Sequence, residues 1–358
     1  MNRNAAQGAG QIIGQIDGHQ VIGLDIAKNV FQLHTVDMST GEIVNLQLKR
    51  AKVLEHFANR VPCLIGIEAC GGAHHWAREL TAQGHRVRLI HAKAVRPFVA
   101  GNKTDATDAR AIWLAVQQPG TKFVGIKTLA QQATLVLHRQ REMLMRMKVM
   151  QTNALRGLLY EFGATFARSK NALFSEIEAT LETLSGDIPQ YVADSLREQV
   201  QRIKQLAADI KAIEVRLAAV LRVDTQMKRV AAIPGVGLLT ATAAIATMGD
   251  ARAFKSAREF CAWLGLVPKQ RGTGGQVKLL GISKRGDTYL RTLLIHGARS
   301  VLTHATEPGP WLEQLKGRRP ANVVIVAQAA KMARTIWAVT AHQQDYQRGH
   351  QSIRPQAA

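Results

Sequence analysis

Cysteine is scarce in this 358-residue chain, with three in all, Cys63, Cys70 and Cys261. They are too few and too unevenly spaced for a structural zinc site or a disulfide framework. Cys63 and Cys70 lie in or beside an apolar segment, so both are expected to be buried free thiols. Long apolar runs are also missing. A bilayer span needs about 20 apolar residues, and the longest candidates, near Thr240 to Met248 and Asn322 to Ala330, fall short. The opening MNRNAAQGAGQIIGQ lacks the apolar stretch of a secretory signal. The expectation is an intracellular protein without a membrane partner. Acid is in short supply as well: 26 Asp and Glu stand against 47 Lys and Arg, a net charge of +21. A polyanion, nucleic acid first, is the partner this balance favours.

Short apolar or alternating segments follow one another near the start. Val21 to Ala27 (VIGLDIA), Phe31 to Val36 and Glu42 to Leu48 (EIVNLQL) predict a strand meander. Helical spacing in Ala51 to Arg60, a strand in Cys63 to Glu68, a helix in Ala73 to Gln83 and a strand in Arg86 to Ile90 complete an α/β order. Leu129 to Phe162 is helical and rich in Arg, Gln and Met. In Ile188 to Arg222, the residues Val192, Leu196, Val200, Ile203, Leu206, Ile210, Ile213, Leu217 and Val220 recur at steps of three and four. That heptad seam fits one long helix packing on its own domain and, about equally, a helical hairpin or a coiled-coil dimer contact. A last unit begins near Met227, continues through two helices and ends near His342. The divisions are therefore a disordered tail at 1–18, an α/β domain at 19–127, a helical region at 128–226, a mostly helical domain at 227–342 and a disordered basic tail at 343–358.

Four carboxylates stand out. Asp25 lies in the first strand and Glu68 at the end of a later one, each set in apolar sequence where an unpaired acid is costly. Asp105 and Asp108, in NKTDATDARAI, open a helix at a spacing that puts both on one face. Hard oxygen ligands of this kind suit Mg²⁺, and two such ions activate an attacking oxygen and steady a leaving one. Structural roles compete, among them a helix cap for Asp105. His74 and His75 fit surface or packing roles better than ligation.

The motifs GLDIAK (Gly23 to Lys28), IGIEACGG (Ile65 to Gly72) and NKTDATDAR (Asn102 to Arg110) resemble the DEDD transposases of the IS-one-ten insertion-sequence family, relatives of the Piv and MooV site-specific invertases. IPGVG (Ile233 to Gly237), FKSAREFCAWLGLVPKQ (Phe254 to Gln270) and GISKRGDTYLRTLLIHGA (Gly281 to Ala298) are similar to the same family's second domain, so the resemblance runs from about Val21 to Trp337. It implies a RuvC-like (RNase H) N-terminal domain, a coiled-coil spacer and a mostly helical C-terminal transposase domain. It also implies a metal-binding tetrad of Asp25, Glu68, Asp105 and Asp108 holding Mg²⁺, two ions per site. The implied partners are donor and target DNA, a structured noncoding bridge RNA that guides recombination by base pairing, and further copies of the chain in a dimer or tetramer. A bacterial, cytoplasmic, nucleoid-associated setting follows. Only 5% of residues are aromatic, which suits a protein that reads backbone and shape rather than stacked bases.

The resemblance further implies a nucleophilic serine in a P-x-x-x-x-S-G pattern. Here that pattern runs from Pro268 to Gly274 with Thr273 at the serine's place, between glycines that leave the backbone open to a phosphate. Ser283 and Ser256 are alternative hydroxyls; Ser256 is expected as a helix N-cap. Gly235 and Gly237 resemble a helix-hairpin-helix turn that offers amides to a phosphate. Lys269, Arg271, Lys278, Lys284, Arg285 and Arg291 are expected backbone contacts. Two other functions stay open at this point: a RuvC-like structure-selective nuclease that uses water, and a catalytically silent nucleic-acid-binding protein.

Overall fold

A computed structural model describes residues 15–16, 19–37, 39–102, 104–167, 172–184 and 186–350. The chain forms two compact units, Met1–Thr128 and Leu129–Ala358.

In the first unit the elements run β1 (Gln15–Ile16), β2 (His19–Asp25), β3 (Val30–Val36), β4 (Ile43–Lys49), α1 (Val53–Ala58), β5 (Leu64–Glu68), α2 (Ala73–Ala82), β6 (Arg86–Ile90), α3 (Ala92–Val95), α4 (Asp105–Gln117) and β7 (Phe123–Val124). The main sheet is ordered β4-β3-β2-β5-β6-β7, and β1 pairs with β2. β2 is antiparallel to β3 and parallel to β5, and β6 continues in parallel. Helices cover both faces, so the central strands are apolar on both sides. Ile22, Leu24, Ile65 and Ile67 pack with Phe57, Trp76 and Leu80 on one face; Val21, Leu64 and Ile90 pack with Ile112, Trp113 and Val116 of α4 on the other. Edge strand β4 alternates in exposure instead. Most of the tail expected at 1–18 lies outside the described residues, although Gln15 and Ile16 pair with Gln20 and His19.

The second unit holds α5 (Leu129–Glu161), α6 (Ala172–Leu184), α7 (Gln190–Val223), α8 (Thr225–Ala231), α9 (Leu238–Met248), α10 (Ala257–Trp263), the hairpin β8 (Pro268–Thr273) and β9 (Gln276–Ile282), α11 (Thr288–His304), α12 (Pro310–Arg318) and α13 (Ala321–His342). α5 and α7 lie antiparallel: Arg141 meets Glu214 at 2.8 Å, and Gln199 Nε2 donates to the Gln151 carbonyl at 3.2 Å. The heptad seam of α7 is spent inside the chain, where Leu196, Val200 and Ile203 bury against Leu155, Leu159 and residues of α6. The antiparallel packing of α5 and α7 is a helical hairpin, and these seam residues are covered from within the chain. The helical region and the C-terminal stretch, expected as separate domains, form one unit.

That stretch also differs in detail from the sequence expectation. Six helices and a β-hairpin occupy 225–342 among the described residues, in place of two helices. Residues 343–350 are not a detached tail: Tyr346 packs on the core and Asp345 pairs with Arg229 at 3.0 Å. α13 runs 22 residues with a mean hydropathy of 1.2, long and apolar enough by composition to cross a membrane. Half of its apolar window is buried, and Ala329, Ala333 and Ile336 belong to the core of this unit.

Candidate active site

Strand parity and register assemble the four acids. In β2 and β5 the partners Val21↔Leu64 through Leu24↔Ile67 continue to Asp25 beside Glu68, at the C-terminal ends of neighbouring parallel strands. Side chains alternate along a strand, so Asp25 shares a face with Val21 and Gly23, and Glu68 with Leu64 and Gly66. That is the face α4 covers. The helix comes so close that a Cβ on Gly23 would stand 2.2 Å from the Ala109 carbonyl oxygen, while Trp113 Nε1 donates to the Val21 carbonyl at 3.1 Å. Gly23 lies under both Ala109 and Trp113, and the Trp113 ring extends toward Val21, so α4 runs opposite to β2 and its N-terminal turn, with Asp105 and Asp108, lies toward Asp25.

Asp25, Glu68 and Asp108 are half-exposed and Asp105 is exposed; none is a buried strand acid of the kind expected. Asp105 is not the helix cap either. Thr104 caps α4, accepting from the Thr107 amide at 3.2 Å while Thr107 Oγ1 accepts from the Thr104 amide at 2.9 Å. The first turn is left with two carboxylates that the cap does not use. Cys70 is exposed rather than buried. Desolvation and the nearby Glu68 and Asp25 carboxylates all push its thiol pKa up, so both acids face the same small region.

The fit to a metal ion has two parts. The donor set is all oxygen, and the backbone brings it to one sheet end. As placed, however, no three His, Cys, Asp or Glu side chains among the described residues gather closely enough to hold an ion. His74 and His75 stand apart from the set: His74 Nδ1 accepts from the Lys127 amide at 3.2 Å, and His75 faces Glu79 at 3.7 Å.

Thr273 sits at the tip of the β8–β9 hairpin, paired with Gln276 across Gly274 and Gly275. Those two glycines have φ of 57° and 81°, the positive pair that a tight two-residue hairpin turn demands. Every β8 residue is exposed. Of the competing hydroxyls one is used as a cap and the other is enclosed. Ser256 caps α10, accepting from the Glu259 amide at 3.3 Å, and Ser283 Oγ is enclosed without a hydrogen-bond partner. Lys269, Arg271, Lys278, Lys284 and Arg285 are exposed. Arg291 differs from expectation: it is 7% exposed and donates to the Leu264 and Arg285 carbonyls at 2.9 and 2.8 Å. It locks the base of the hairpin and has no free face for a phosphate. Gly235 also faces inward, where a Cβ would meet Val301, Gly297 and Met332, whereas Gly237 opens to free space at the uncapped start of α9.

A buried polar chain in the second unit had no counterpart in the sequence analysis. Thr242 Oγ1 donates to the Leu238 carbonyl at 2.8 Å, so it accepts from His138 Nε2–H at 2.9 Å, and His138 Nδ1 accepts from the Tyr289 hydroxyl at 2.9 Å. Burial, with Arg141 nearby, pushes the His138 pKa down to about 4. No sequence signal marks this network, because its members are single polar residues on three separate helices.

Two protein-family models match the chain, one described as transposase over residues 22–163 and one as the transposase IS116/IS110/IS902 family over residues 227–313. The chain is 46% identical over 333 residues to a probable family 20 transposase of Pseudomonas aeruginosa, covering 92% of this chain and 98% of that one. It is 38% identical to the transposase for insertion sequence element IS1111A of Coxiella burnetii, over 92% of each. It is also 37% identical to the transposase for element IS1328 of Yersinia enterocolitica, over 89% of this chain and 96% of the relative.

Proposed function

The chain belongs to the IS116/IS110/IS902 family of transposases, and from that premise we propose that it is a metal-dependent DNA recombinase acting through Asp25, Glu68, Asp105, Asp108 and Thr273. One observation carries the metal half: the register that sets Asp25 beside Glu68 on the face where α4 brings Asp105 and Asp108. A RuvC-like reading of this unit is supported by its antiparallel meander followed by parallel strands under helices. Divalent ions held there, Mg²⁺ by the hardness of the oxygen donors, would neutralise charge on the scissile phosphate and activate the attacking oxygen.

Thr273 supplies the nucleophile. Its hydroxyl forms an Oγ1–P bond as the deoxyribose oxygen of the scissile strand leaves; the threonine gives up a proton and the leaving oxygen gains one. Attack by a second strand's hydroxyl reverses the step and rejoins DNA. Exposure at a hairpin tip, the use of Ser256 as a helix cap and the burial of the Ser283 hydroxyl favour this residue. Lys269, Lys284, Arg285 and the Gly237 amide serve as backbone contacts.

A bridge RNA selects donor and target by base pairing, in keeping with the +21 charge and the 5% aromatic content. The working form is a dimer or tetramer. Because the α7 seam is used internally, the outward stripe Val136, Met143, Met147 and Met150 of α5, all exposed, is the surface that favours association. Work on chromosomal DNA sets the protein in the bacterial cytoplasm, with the nucleoid.

The test combines the purified protein, RNA transcribed from the DNA flanking its gene, Mg²⁺, and donor and target duplexes. RNA-dependent recombinant product and a protein–DNA adduct lost in Thr273→Ala are expected. Cleavage without an adduct would assign the chain as a nuclease using water, and product without RNA would remove the guide.

A further inference from the structure

The β8–β9 hairpin is built with two unlike faces. Its register pairs Thr273 with Gln276, Gly272 with Val277, Arg271 with Lys278 and Gln270 with Leu279. Since side chains alternate, Thr273, Gln276, Arg271 and Lys278 share one face, and Val277, Leu279 and Gln270 share the other. On the first face two cations stand directly opposite each other, an arrangement that weakens a strand pair unless an anion lies between them. On the second, Val277 and Leu279 are 64% and 61% exposed. Among the described residues the hairpin pairs with no further strand, and a two-stranded ribbon of this kind is marginal in water alone. Its base is nevertheless fixed: the Ser283 and Lys284 amides donate to the Val267 and Gly265 carbonyls at 2.8 and 3.1 Å, beneath the buried Arg291. A firm base under an unsupported ribbon describes an element made to enter something.

We propose that this hairpin stands on edge in the major groove of duplex DNA, with Arg271 and Lys278 clamping a backbone phosphate on the Thr273 face while Val277 and Leu279 lie against the groove interior. Charge picks nucleic acid: between Glu259 and Asp287 the chain carries Lys269, Arg271, Lys278, Lys284 and Arg285 and no acid. Dimensions pick DNA over duplex RNA. A β-layer with its side chains is about 10 Å thick and the B-form major groove about 12 Å wide, whereas the A-form major groove is too narrow for side chains to read. The clamp sets a phosphate on the side where the Thr273 hydroxyl points. It rests on the recombinase reading for its substrate, but predicts binding behaviour that needs no catalysis.

The test uses the full chain with EDTA, so that no strand is cut. Fluorescence anisotropy follows a labelled DNA duplex about three helical turns long and a duplex RNA of equal length, across about 50 to 200 mM KCl. Replacing the cations in R271A/K278A is expected to reduce the slope of log affinity against log salt by about 1, the counterion released from the one phosphate they clamp. V277T/L279T keeps strand propensity; it is expected to leave the slope unchanged while weakening DNA binding about tenfold and sparing the RNA duplex. Thermal melting identical to the parent shows that both variants fold. Unaltered DNA binding by V277T/L279T overturns the proposal, as does equal weakening for duplex RNA. So does a change in oligomer mass with DNA binding intact, which would make the apolar face a protein contact. Absence of strand exchange by the parent protein with Mg²⁺, RNA and both duplexes would defeat the recombinase reading instead, and leaves these binding outcomes to be judged separately.

Discussion

At the scale of single residues, the four acids and the buried histidine obey opposite rules. Asp25 and Glu68 were legible as candidates because strand acids in apolar sequence are rare, and Asp105 and Asp108 because their spacing fixes one helical face. Half-exposure at the sheet end was not legible, since it depends on where the strands stop. Neutralising Asp25 or Glu68 (D25N, E68Q) is expected to lower strand exchange at least about a hundredfold, with the melting temperature held or raised in the absence of metal, because like charges are relieved. A matching loss of stability in circular dichroism would instead make these acids structural. For His138 burial holds the pKa at about 4, below the ordinary histidine value of 6.5. The neutral form is the one the fold holds, so its contribution is complete above 6.5 and is lost as pH falls from there toward 4, by up to about 3 kcal/mol. Urea titrations of the parent and of His138→Gln at pH 7.5 and 4.5 check this: the parent loses more stability between the two than the variant does. Equal losses would show that other groups carry the acid sensitivity.

At the scale of elements, legibility followed periodicity. The strands around VIGLDIA and CLIGIE were plain because apolar runs bounded by turns have few alternatives, and α7 because its seam repeats for nine positions. The same seam could not say whether its partner was another chain or α5, since hydrophobic periodicity names a face and not what covers it. The β8–β9 hairpin was invisible for the opposite reason: PKQRGTGGQVK is basic and glycine-rich, with no apolar alternation to mark β8. Arg291 was misplaced because a buried arginine satisfied by carbonyls is spelled no differently from a phosphate contact. The α4–β2 crossing depends on one residue that composition hides. Gly23→Ala would drive a Cβ into the Ala109 carbonyl, and the expected cost is about 2 to 3 kcal/mol as α4 is pushed from the sheet. Activity should fall further than stability accounts for, because Asp105 and Asp108 ride on the displaced helix. Recombination measured well below the melting transition separates the two. An Ala variant with parental activity would show that α4 does not set the site.

At the scale of the whole molecule, two compact units carry the two halves of the proposed chemistry, and multidomain chains are not bound to melt in one step. Ligands that bind the native state of one unit raise the stability of that unit. Differential scanning calorimetry should therefore resolve two transitions, with Gly23→Ala lowering one and His138→Gln the other, since each residue is buried in a different unit. Mg²⁺ is expected to raise only the transition that Gly23→Ala lowers. A metal excess of about a hundredfold over the dissociation constant adds about 2.7 kcal/mol to it, and the effect should vanish in a D25N/E68Q double variant. A shift in the His138-sensitive transition, or one that survives in D25N/E68Q, would place metal binding outside the tetrad.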